Sequence, residues 1–202
     1  MTPPPLRLTG NPVADELLAA DDNALLLGMV LDQQVPMEKA FAGPAVIAER
    51  MGGRLDVAAI AAMDEEEFVA LCSSRPAVHR FPGAMAKRVR QVCRVLVSDH
   101  DGDAGRIWRD ADSGAEAKRA IGVLPGFGEQ KAAIFTALLG KQRGVRPPGW
   151  AEAAGTYGEA GVFRSVADVV DESSLAKVRE TKRAAKAANR AAVNRTARDH
   201  GD

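Results

Sequence analysis

Leu124-Pro125-Gly126-Phe127-Gly128-Glu129-Gln130-Lys131-Ala132 decides how this chain of 202 residues is read. Two glycines flank one apolar residue, so the backbone can turn with φ above zero and approach another molecule closely just before a helix begins. Ala115 to Ile121 upstream and Lys131 to Leu139 downstream carry helical spacing, which makes the region a helix, a tight hairpin and a helix. The amides opening the second helix lack intrahelical partners and, with the helix dipole, suit an anion such as a phosphate. Gly-x-Gly by itself is equally an ordinary helix–helix turn, so the flanking sequence carries the reading. A β-branched residue at Gly128 is expected to disturb the turn itself.

Outward from the hairpin the chain stays helical. Met85, Val89, Val92, Val95 and Leu96 recur at helical spacing, while Lys87, Arg88, Arg90 and Arg94 predict a basic outer surface. Asn23 precedes the apolar run Leu25 to Leu31, a central buried helix that Pro36 is expected to stop. Asp64 followed by Glu67 resembles a capping box ahead of Phe68, Val69 and Leu71, and Ser165 with Asp168 repeats the pattern before a last small helix. Val145 to Gly161 carries two prolines and four glycines and reads as a loop with at most one short helix. With no repeat period and no alternating strands, the fold class is all-α.

Composition excludes several classes. The chain is 46% hydrophobic with 27 basic and 27 acidic residues, a globular balance rather than a disordered or collagen-like one. Cys72 and Cys93 alone cannot fill a four-thiolate zinc or iron–sulfur site and read as core residues, so no metal and no cofactor are expected. His100 and His200 show no metal-ligand spacing. The apolar stretch Ala24–Leu31 is too short to span a bilayer and Met1 to Gly10 lacks a signal-like run. A cytoplasmic, nucleoid-associated monomer with no membrane partner is the expectation. Residues 1–70 hold twelve acids and four bases, leaving 23 bases and 15 acids for residues 71–202. That asymmetry suits a polyanion partner for the second part, or attraction between the two parts. Residues 175–198 carry eight bases against Glu180 alone, the mark of a solvated, partly disordered arm or a helix able to bind a phosphate backbone.

The hairpin, Ala86 to Leu96 before it and the Gln-containing stretch Leu26 to Val35 together resemble the helix-hairpin-helix DNA glycosylase superfamily that includes endonuclease III and the adenine glycosylases. The resemblance covers roughly residues 23–145 and is close to a small actinobacterial branch that lacks the iron–sulfur cluster. It implies a two-lobed all-α fold with a cleft for double-stranded DNA, and base excision repair as the setting. The segments it implies are an N-terminal stretch 1–22, a glycosylase-like domain 23–172 and a basic tail 173–202. Taking a base out of the stack leaves a space that a polar side chain fills, and Gln33 and Gln34 occupy the positions that resemble the family's polar residues for that work.

The departures from the family pattern bear on chemistry. Where lyase-competent members carry a lysine that attacks the sugar, this chain has Gln130, which cannot form an imine. Lys131 follows, turned by about 100° along the helix, and reads as a surface lysine contacting phosphate. The family's carboxylate is expected in the stretch that here reads Val145-Arg146-Pro147-Pro148-Gly149-Trp150, which has no acid. Glu152 is the nearest downstream carboxylate and the first catalytic candidate, with Asp32 on the Gln helix and Glu159 behind it. Gln33, Gln34, Lys87, Arg88, Gly126, Gly128, Gln130 and Lys131 form the expected DNA-binding set. His79 reads as a capping or surface histidine, with DNA contact as the alternative. A monofunctional glycosylase is the leading reading. A non-catalytic DNA-binding protein of the same fold and a protein-interaction module stand beside it.

Overall fold

A computed structural model describes residues 6–199, with side chains through residue 188. Eleven α-helices follow in order: α1 Pro12–Ala20, α2 Asp22–Leu31, α3 Met37–Arg50, α4 Val57–Ala62, α5 Glu65–Ser73, α6 Pro82–Asp99, α7 Arg106–Arg109, α8 Gly114–Gly122, α9 Glu129–Gln142, α10 Trp150–Ala154 and α11 Glu172–Asp199. Two 3-10 turns, Gly155–Tyr157 and Val166–Asp168, lie between α10 and α11. No strand occurs among the described residues. The ends of the two terminal segments, residues 1–5 and 200–202 with His200, and the side chains of Arg190, Arg195 and Arg198 lie outside them.

The central helix forms because eight consecutive residues from Ala24 to Leu31 have somewhere apolar to go on every side; all are buried. It starts two residues earlier than a cap at Asn23 would give, with Asp21 as the cap. The Asp21 carboxylate accepts from the Asn23 and Ala24 amides, while the Asn23 side chain bonds Gly102 O and the Ala104 amide at 2.9 and 2.8 Å. α3 crosses so closely that a Cβ on Gly28 would lie 2.6 Å from the Phe41 ring. Pro36 does not stop α2, which ends at Leu31; it opens α3, where its fixed φ suits helix entry.

Helices α1 to α6 pack into one lobe, and α7 to α10 gather around α9 with the 3-10 turns into the second. A single apolar core runs through both. The terminal segments share it: Leu6, Leu8 and Leu18 are buried, the Asp15 carboxylate accepts from the Leu8 and Thr9 amides, and Val178 of α11 is fully covered. The basic tail is thus a continuous helix anchored to the body rather than a partly disordered arm. Leu175 and Val178 give its first turns something to bury, which its alanine-rich remainder lacks.

Candidate functional site

The hairpin joins α8 to α9 through Val123 to Gly128, closed by the Phe127 amide on Leu124 O at 3.0 Å. Phe127 turns inward, its ring edge-on to Phe135 at 6.0 Å. The two glycines do different jobs. Gly126 has φ +84°, and a Cβ there would lie 2.2 Å from Cδ of Arg88 on α6. Gly128 has φ −154°, an extended value open to any residue, and its Cβ would meet nothing within 4 Å. The expectation that Gly128 shapes the turn is therefore corrected: the left-handed residue is Gly126. Gly128 is the N-cap of α9 with no side-chain cap, so an open, uncovered surface faces the first amides of that helix.

Arg88 links this hairpin to the end of α2. Its Nη1 donates to Gln33 Oε1 at 2.8 Å while its stem lies against Gly126. Gln33 is held from the other side by His79. The Phe81 amide donates to Nδ1 of His79, which leaves Nε2 as the protonated nitrogen donating to Gln33 O at 2.9 Å. Far from being a surface residue, His79 is buried, and burial pushes its pKa below the ordinary histidine value. Gln34, next along, is exposed with φ +58°, a strained conformation for a residue with a side chain.

Lys131 also departs from expectation. It is no free surface cation: Nζ donates to Met29 O at 3.0 Å and Val30 O at 3.2 Å, neutralising the carbonyl end of α2. Burial lowers its pKa. Beside those carbonyls stands Asp32, whose own pKa is raised by burial and pulled back by the charges of Lys182 on α11 and Lys131. Gln130, in the lysine seat, is exposed and donates to the Tyr157 hydroxyl at 2.8 Å.

Lys87 belongs elsewhere. A step of one residue along α6 turns it away from Arg88, and its ammonium pairs with Glu65 of α5 at 2.8 Å. Arg90 is buried with Nε on Met63 O, and Arg94 reaches Ala61 O, so much of the expected basic surface of α6 is spent on internal contacts. Glu152 is exposed in a depression lined by Lys118, Arg119 and Glu129, and neither Asp32 nor Lys131 lines it. Glu159 pairs with Arg164. The structure therefore brings together Asp32, Gln33, Gln34, Arg88, Gly126 and Lys131, and leaves Lys87 and Glu152 apart. His79 is the contributor that sequence reasoning missed, because nothing local marks a histidine bonded to a carbonyl 46 positions away.

Residues 27–195 match the family model described as HhH-GPD superfamily base excision DNA repair protein. The chain belongs to the HhH-GPD superfamily. No curated protein and no solved structure matches it. As an HhH-GPD protein it is a DNA-binding protein of base excision repair, and its helix-hairpin-helix is α8, the Gly126–Gly128 turn and α9. The HhH-GPD match extends to residue 195, within α11. Among the described residues, no cluster of three or more His, Cys, Asp or Glu side chains is placed to hold a metal ion, and no helix is long and apolar enough to cross a membrane.

Proposed function

We propose that this protein is a monofunctional DNA glycosylase acting on a damaged or mismatched base in duplex DNA, with Asp32 as its catalytic carboxylate. The observation that carries the reading is the placement of Asp32: a half-buried carboxylate at the end of α2, within reach of the Lys131 charge and next in the chain to Gln33, which Arg88 ties to the hairpin. The uncovered start of α9 suits a backbone phosphate, and the exposed Gln34 suits the space left by an extruded base. In the step proposed, the bond between C1′ and the base nitrogen breaks with its electron pair leaving on the base. The cationic sugar is stabilised by the Asp32 carboxylate; water then attacks C1′ and passes a proton to that carboxylate. Lys131, with its protons on α2 carbonyls, acts as a positioning residue.

The test is release of free base from duplexes that each carry one modified base. Asp32→Asn should lower the rate by about 100-fold with binding unchanged, whereas Glu152→Gln leaves it near that of the parent. Borohydride should trap no protein–DNA adduct, since Gln130 offers no amine. Full activity of Asp32→Asn removes the assignment. Gln130 and the acid-free stretch 145–150 favour the second reading, a DNA-binding protein without catalysis. Binding to every duplex with no base released from any would select it.

A further inference from the structure

We propose that α11 is a second phosphate-binding arm, whose stripe of Arg179, Lys182, Arg183 and Lys186 holds the backbone of the same duplex beside the α2–α3 junction. The inference rests on the duplex-binding reading above and adds to it a surface that the hairpin does not supply.

At 3.6 residues per turn, the four bases fall within a sector of about 100°. The face that Leu175 and Val178 bury in the first two turns becomes basic from Lys182 onward, since Lys182 and Lys186 repeat their direction. Two observations fix where that face looks. Arg179 pairs with Glu38 in the first turn of α3, and the charge of Lys182 reaches Asp32 at the end of α2. The basic face is thus turned toward the Gln33–Gln34 junction. Yet every residue from Arg179 to Lys186 is exposed, so the helix leaves the body after Val178 and its body-facing side stays uncovered.

Beyond the Arg179–Glu38 pair and the charge that Lys182 lends Asp32, the exposed face leaves Arg183 and Lys186 without an acidic partner among the described residues, which calls for an anionic occupant. Among the described side chains Arg183 and Lys186 make no ion pair, and Glu180 lies outside the sector, about 60° beyond Arg183. Four cations spread over about two turns match neighbouring phosphates of a backbone rather than one small anion. With the hairpin reaching the junction through Arg88 and α11 reaching it through Arg179 and Lys182, a duplex whose base enters beside Asp32 has its backbone held at two places.

Three full-length proteins decide the matter: the parent, the triple variant K182Q/R183Q/K186Q, and a control R54Q/R75Q/R106Q that loses equal charge at exposed positions elsewhere. Affinity for a duplex is measured across a salt series, with circular dichroism to confirm helix content. Each lost phosphate contact removes about 0.9 from the slope of log K against log salt, so the affinity lost between 50 and 200 mM salt should shrink by roughly 40-fold in the triple variant. The control should keep the parent slope. An independent readout uses Lys186→Cys carrying a photo-crosslinker, made selective because Cys72 and Cys93 are buried. It should crosslink to the duplex within roughly ten base pairs of the modified base. A parent-like slope in the triple variant, or crosslinking to a second copy of the chain instead of DNA, overturns the arm while leaving hairpin binding intact. A parent that shows no salt-sensitive duplex binding overturns the reading on which the arm depends.

Discussion

Asp32 and Lys131 show what one side chain can do for another across the whole length of the chain. Burial drives the Asp32 carboxyl toward its neutral form, and the ammonium of Lys131 draws it back toward the carboxylate that the proposed reaction needs. Because the ionised form acts, base release should rise with pH through an acid limb set by Asp32. Removing Lys131 takes away one of the two nearby cations, so in Lys131→Met that limb should move to higher pH. The same change frees the last carbonyls of α2 and should cost about 1–2 kcal/mol of stability in urea titration. A limb that stays in place would show that Lys131 serves the helix end alone. The residue identities at this scale are legible as chemistry: an acid on the Gln helix and a lysine one position past the expected seat. Their meeting is not, since Lys131 and its carbonyl partners are 101 and 102 positions apart.

At the scale of elements, the hairpin separates into a glycine that builds and a glycine that leaves room. Gly126→Ala puts a side chain at φ +84° and into the stem of Arg88, and should destabilise the protein by about 1–2 kcal/mol while displacing Arg88 from Gln33. Gly128→Val meets no neighbour and no forbidden angle, so thermal stability should stay within about 0.5 kcal/mol of the parent. Duplex affinity should nevertheless fall, because the new methyl groups stand before the open start of α9. Equal binding by a stable Gly128→Val protein would make the hairpin a turn and nothing more. The two glycines look alike in sequence, where both merely permit a turn. Only the backbone angles and the arrival of Arg88 from α6 tell them apart. The same holds for Lys87 and Arg88, adjacent bases that helical rotation sends to α5 and to the hairpin respectively.

For the molecule as a whole, His79 ties the loop before α6 to the α2–α3 junction and gives the fold a pH dependence. Its folded pKa lies below the ordinary value of 6.5 because burial opposes the charged ring, so the unfolded chain binds the proton more readily. The stability it contributes is complete above that ordinary value and declines as pH falls from there toward the folded pKa. His79→Gln should cost about 1–2 kcal/mol at pH 8, and should lose less than the parent between pH 7 and 5, as read from urea midpoints. An unchanged decline would assign the acid sensitivity to other groups. Cys72 and Cys93 contribute to the same core; burial pushes both thiols up to about 12, which keeps them protonated across this range.

What the sequence determined by itself is whatever depends on neighbours in the chain. Apolar spacing dictates α2, α6, α8 and α9, a short glycine-bearing segment dictates the hairpin, and Asp64 and Ser165 take their capping positions because a cap reaches only two or three residues. The continuous burial of Ala24 to Leu31 likewise follows from a run with no polar face. Tertiary structure alone decided the site. Gln33 is held by Arg88 from 55 positions away and by His79 from 46, and Asp32 meets charges from α9 and α11. Helical periodicity says which face of an element is apolar, but a basic or acidic side chain is soluble in either direction. Its partner is chosen only when the lobes close and burial makes an unpaired charge costly, which is why Lys131 turned inward, Lys87 turned away and Glu152 was left on another surface.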